Sequence, residues 1–260
     1  MATATRNDRL RQVSVTAAEI FCVVGTLYGV GVLGTRVEES SGGALAADAT
    51  RLAPAGPAFS IWSVIYLGLA AYTVWQWLPS QAVRSLHRGI GWLAAASMVL
   101  NAAWLLVTQQ GWIWASVGVI FALALVLGVL LKRLTAMPRS GVADRVIVDG
   151  TFGLYLGWVA VATCANVTAA FVSSGVEPSA AVSDLVAALV LAIVAALGVI
   201  FARALGGRYA VAAAMAWGLA WITVARLTSE PESIVTAIAA AVVALLVLAA
   251  PLMITHRIAR

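Results

Sequence analysis

Pro54-Ala55-Gly56-Pro57-Ala58-Phe59-Ser60-Ile61-Trp62-Ser63-Val64-Ile65-Tyr66 decides the fold of this chain. Two prolines end a loop, and an apolar helix follows whose rings at Phe59, Trp62 and Tyr66 fall on one face. Two later segments repeat the pattern: Asn101-x-x-Trp104, and Tyr155-x-x-Trp158-x-x-x-Ala162-x-x-x-Asn166. Helix-spaced aromatics tipped with amides suggest a pocket inside a bundle of membrane helices.

Composition supports the membrane. The 260 residues are 62% hydrophobic and 10% charged, with a mean hydropathy of +0.98. Soluble domains are about 45–50% apolar and about 25% charged. Runs long enough to cross a bilayer core, about 20 apolar residues each, are expected near 17–36, 58–78, 89–108, 112–131, 148–171, 182–202, 209–227 and 234–254. The fold class is therefore an all-α integral membrane protein with eight transmembrane helices.

Charge fixes the expected orientation. With the N-terminus inside, the inner segments hold Arg6, Arg9, Arg11, Arg84, Arg88, Lys132, Arg133, Arg139, Arg145, Arg203, Arg208, Arg257 and Arg260. The outer segments hold only Arg36, Arg51 and Arg226. This positive-inside bias puts both termini in the cytoplasm, and the expected site is a bacterial cytoplasmic membrane. The net charge of +5 then reflects insertion, and no nucleic-acid partner is expected.

The expected organisation is a cytoplasmic tail over 1–16, a five-helix core over 17–175 and a three-helix extension over 176–260. The outer loop 37–57 is long for a compact bundle and reads as a lid. Gly25-x-x-x-Gly29 and Gly153-x-x-x-Gly157 are close-approach faces, read as internal packing before homo-oligomer contact. Trp75, Trp77, Trp92, Trp112 and Trp114 read as interfacial-belt residues. Cys22 and Cys164 each stand alone, and neither a disulfide nor a metal site is expected from them.

On this topology Trp62, Tyr66, Asn101 and Trp104 lie in the outer half of the membrane, Tyr155 and Trp158 near its middle, and Asn166 toward the outside. Buried amides and phenols must find partners or line a wet cavity. Asn101 and Asn166 read either way: as cavity groups, or as hydrogen bonds between helices. No charged residue or histidine falls near the centre of an expected span, Glu19 included, which argues against an ion-coupled pump. No catalytic residues, phosphate loop or zinc motif are indicated.

These residues resemble the TspO/MBR family, the tryptophan-rich sensory proteins related to the translocator protein. Phe59 to Tyr66 matches its second helix, Leu100-Asn101-Ala102-Ala103-Trp104 its third, and Tyr155, Trp158, Ala162 and Asn166 its fifth. Ser97 stands where the family usually has Gln, Leu154 where it has Pro, and Val107 and Thr108 where it has aromatics. The resemblance covers about 17–175, and most members stop after five helices. It implies a five-helix bundle with a ligand pocket closed by the first loop, formed here by Phe59, Trp62, Tyr66, Asn101, Trp104, Tyr155, Trp158, Ala162 and Asn166. It further implies a hydrophobic small-molecule ligand, of which tetrapyrroles such as protoporphyrin IX or haem are the family's examples, with no covalent cofactor. A receptor or sensor is the first expectation. An uncoupled facilitator, a porphyrin-degrading enzyme and a structural scaffold are the alternatives.

Overall fold

The computed structural model describes residues 4–138 and 141–258, and side chains through Ile254. Among the described residues there are eight helices long and apolar enough to cross a membrane. They are α1 (Arg6–Gly29), α2 (Ile61–Trp75), α3 (Ser85–Gln109), α4 (Ile113–Thr135), α5 (Thr151–Ser173), α6 (Ala180–Ala204), α7 (Tyr209–Thr228) and α8 (Ile234–Ile258). A tight 3-10 turn, Gly56–Ser60, leads into α2, and a π-helical stretch, Asp144–Gly150, leads into α5.

The first five helices close into a ring in the order α1, α2, α5, α4, α3. The α7 helix packs on the outside of α5, α8 on α7, and α6 on α8. The extension is therefore joined to the ring chiefly through one seam. Small residues make that seam: a Cβ at Gly153 would lie 2.8 Å from Ala210 Cβ, and one at Gly157 would collide with the Val211 carbonyl oxygen. Gly25 meets Ala102 of α3 in the same manner, at 2.9 Å. Both glycine faces are thus used in packing within the chain.

At the bundle end away from the 37–57 loop, arginines tie neighbouring helices together. Asp8 of α1 takes a two-pronged bond from Arg88 of α3, at 2.6 and 2.8 Å. Arg84 grips Asp144 the same way, and that carboxylate raises the pKa of the guanidinium. Arg208 pairs with Asp149. The geometry is bidentate where it matters, which gives these pairs direction as well as charge.

The largest departure from the sequence expectation concerns α1. It begins at Arg6, so residues 6–16 are helix rather than tail, and it ends at Gly29 rather than near 36. Thr5 and Asp8 form a reciprocal cap that starts the helix early. Gly31, at φ +79°, turns the chain out of the helix, and the apolar Val30, Val32 and Leu33 that follow are exposed loop. Hydropathy counted those three as span and discarded the polar turns before residue 17. One consequence is functional: Glu19 moves from the end of a span to the interior of one.

Candidate functional site: an aromatic cavity beneath the first loop

The side chains of α2 set the site. Trp62 stacks on Tyr66 with ring centroids 5.1 Å apart, and meets Tyr155 and Trp158 of α5 edge-on at 5.7 and 6.4 Å. Phe59 meets Trp158 edge-on at 5.6 Å. Such offset and edge contacts add about 0.5–1.5 kcal/mol per pair beyond burial. They lock α2 against α5 and hold one wall of a cavity rigid.

That cavity has a volume of about 320 Å³ and opens between α1 and α2. Phe59, Trp62, Tyr66 and Trp104 give its aromatic wall, and Thr26 and Gly29 of α1, with Val30 just after it, face them. Arg36, Val37 and Glu38 of the first loop close its top. Two smaller cavities continue the same space behind the aromatic wall. One, of about 40 Å³, is bounded by Phe59, Trp104, Trp158, Ala162 and Asn166, with Leu45, Thr50 and Pro54 of the loop above. The other, of about 20 Å³, touches Asn101, Trp104 and Trp158.

All nine expected site residues therefore converge, in three different settings. Phe59, Trp62, Tyr66 and Trp104 face the main cavity, while Trp158, Ala162, Asn166 and Asn101 border the spaces behind it. Tyr155 is fully buried and donates to the Ser97 carbonyl at 3.0 Å, so it acts as a strut.

The two amides behave differently. Asn166 accepts from the Trp104 indole at 2.8 Å and donates to Ser116 at 3.0 Å, which bonds α5 to α3 and α4. Both its oxygen and its nitrogen are thus bonded to neighbouring helices. Asn101 donates to the Tyr66 hydroxyl at 3.0 Å and approaches Cys22 Sγ at 3.3 Å. Its carbonyl oxygen is buried and has no hydrogen-bond partner among the described residues. Asn101, rather than Asn166, keeps a polar function to spare.

A family model described as TSPO-like protein matches residues 13–251. The chain belongs to this TSPO-like family. The match reaches well past residue 175, so it takes in α6, α7 and most of α8 and not only the five-helix ring. Together with the eight apolar helices, this makes the protein an integral, multi-pass membrane protein of TspO type. Neither a curated protein nor a solved structure matches the chain.

For this TSPO-like protein the extension has a structural task that the sequence did not reveal. Arg226 of α7, 1% exposed, donates to the Ala47 carbonyl in the first loop at 2.7 Å and to the Pro231 carbonyl at 2.8 Å. The Trp217 indole donates to the Ala58 carbonyl at 2.9 Å, and Ala55 N–H donates to the Trp221 carbonyl. Arg51 of the loop pairs with Asp184 of α6 at 3.0 Å. The helices added after the ring therefore clamp the loop that roofs the cavity. The tryptophans at 217 and 221, and a basic residue at the outer end of α7, were the available sequence signals.

Proposed function

We propose that this protein is a membrane receptor that takes a flat aromatic ligand of tetrapyrrole type in the cavity between α1, α2 and α3. The observation that carries this reading is the rigid wall of Phe59, Trp62, Tyr66 and Trp104 around about 320 Å³, within the range of ligand pockets. Stacking and edge contacts suit a flat ring system. Arg36 at the mouth suits a carboxylate on the ligand's edge.

In this reading the 37–57 loop faces the outside, both termini lie in the cytoplasm, and residues 17–175 carry the ligand while 176–260 hold its roof. The opening between α1 and α2 also favours a second reading, in which the ligand enters and leaves sideways and the protein acts as a facilitator. Such movement was read as uncoupled because no ionisable residue was expected near the centre of a span, whereas Glu19 is a buried carboxyl in the interior of α1.

The test is a protoporphyrin IX titration of detergent-purified protein, followed by tryptophan quenching, beside the Trp62→Leu/Trp158→Leu double variant. Saturable one-site binding that the double variant loses is the expected result. Absent saturation, or equal binding by a double variant of unchanged helicity, overturns the tetrapyrrole reading.

A further inference from the structure

Below the aromatic cavity, the seam between α1, α2 and α3 holds polar side chains that the pocket does not use. Glu19 is 7% exposed, and its Oε2 has no hydrogen-bond partner among the described residues. Toward the opposite end of the bundle follow Tyr72, Thr73, Gln76 and His87, all less than a tenth exposed. The Tyr72 and Thr73 hydroxyls, the Gln76 side-chain carbonyl and both His87 nitrogens also lack partners. Above Glu19 lies the unpartnered Asn101 carbonyl, which borders the cavity system.

These groups are stacked rather than scattered. Gln12 and Gln76 exchange bonds between α1 and α2, at 2.7 and 3.4 Å, and mark one level near the end of the seam. Seven residues up α1, at 1.5 Å per residue, Glu19 stands about 10 Å deeper in the membrane. The Tyr72 and His87 rings sit 5.6 Å apart at the lower level. Cys22, one turn above Glu19, meets Asn101.

We propose that Glu19 is a proton-binding site at the centre of a polar path running down this seam, from the aromatic cavity to the opposite end of the bundle. Buried polar groups ordinarily have partners, and an intramembrane carboxyl marks a proton relay or ion pathway more often than a structural role. The groups near Glu19 favour a proton over a metal ion. Cys22 on its own helix, Tyr66 of α2 and Tyr155 of α5 lie within electrostatic reach of it. On the α3 side the next ionisable group is His87, which shares the lower level with Arg11 and Tyr72. Hydroxyls and an imidazole can both accept and donate a proton, whereas a hard cation needs several converging oxygens. No cluster of acidic, histidine or cysteine side chains suited to a metal occurs among the described residues.

The step conserves atoms and charge. A proton from water at the Arg11 end passes by way of His87 and Tyr72 to the Glu19 carboxylate, forming a neutral carboxyl. It leaves that oxygen for water in the cavity, past Asn101 and Tyr66, and the carboxylate returns. Only O–H and N–H bonds form and break.

The test needs no ligand, so its failure is separable from failure of the tetrapyrrole reading. Purified protein is reconstituted into vesicles holding a pH-sensitive dye, and a potassium diffusion potential drives proton uptake. Wild-type vesicles are expected to acidify faster than protein-free vesicles, and Glu19→Gln is expected to lose the excess. Tyr72→Phe, which removes a single oxygen, is expected to slow uptake and serves if Glu19→Gln does not fold. Wild-type uptake equal to that of protein-free vesicles, or equal rates in wild type and either folded variant, overturns the proposal.

Discussion

The α5–α7 seam and the α1–α2 seam solve the same problem in opposite ways. Across α5–α7, Gly153 and Gly157 let the backbones close on Ala210, Val211 and Ala214. Dispersion and shape hold that seam, as expected where lipid supplies no hydrophobic drive between helices. Between α1 and α2 the helices stand apart, leaving the 320 Å³ cavity at one end and unpartnered polar groups toward the other. The tight seam supplies a rigid wall; the loose one supplies room and chemistry. A membrane bundle can keep costly polar groups in one seam only if the remaining seams hold it together.

The comparison can be broken most severely at the tight seam. Gly157→Leu drives a side chain into the Val211 carbonyl and Ala214, and overpacking of this kind costs about 1–3 kcal/mol or more. The expected outcome is a sharply lowered Tm in detergent with α6–α8 detached from the ring, read by proteolysis of the α5–α6 connection. An unaltered melt would show that the seam is not close-packed.

A smaller effect is expected at the clamp. Arg226→Met keeps the bulk of the side chain but cuts its bonds to Ala47 and Pro231, each of a kind worth about 1.5–3 kcal/mol. Some of that loss is returned because a buried charge is also removed. The first loop is expected to become protease-sensitive between residues 37 and 57 while the helices stay folded. Equal cleavage of variant and wild type would separate the extension from the roof.

The smallest effect belongs to the polar staple behind the cavity. Trp104→Phe removes the indole bond to Asn166, and helix-to-helix bonds in membranes average about 0.6 kcal/mol. A melt shifted only slightly, with ligand binding retained, would assign this bond to helix packing. Loss of binding with an unshifted melt would show that the ligand needs the indole itself and not only an aromatic ring at 104.

Much of the site was legible because aromatic side chains recur at helical spacing. Trp62 and Tyr66 on α2, and Tyr155, Trp158, Ala162 and Asn166 on α5, needed only the 3.6-residue period to share a face, and Phe59 joins them from the 3-10 turn before α2. Of the five tryptophans read as span-end residues, Trp77, Trp92, Trp112 and Trp114 stand well out of the core, while Trp75 is half-buried with its indole nitrogen enclosed. Glu19 was not, because hydropathy follows apolar runs and the first helix starts in polar residues. Thr5-x-x-Asp8 held the missing signal, a four-residue capping box that opens a helix polar for its first turns. The division of labour between Asn101 and Asn166 was equally hidden, since it depends on which neighbour each amide meets.

The sequence by itself determined eight spans, their order, the face each aromatic occupies and the family. These follow from local periodicity, helix length and charge at the ends, which neighbouring helices hardly alter. Tertiary structure alone decided that α7 seats on α5, that Arg226 reaches the first loop, that the Asn101 carbonyl is left unpartnered while that of Asn166 is bonded, and that Glu19 lies buried below the cavity. Those outcomes depend on distances between side chains far apart in the chain, and no local pattern encodes them.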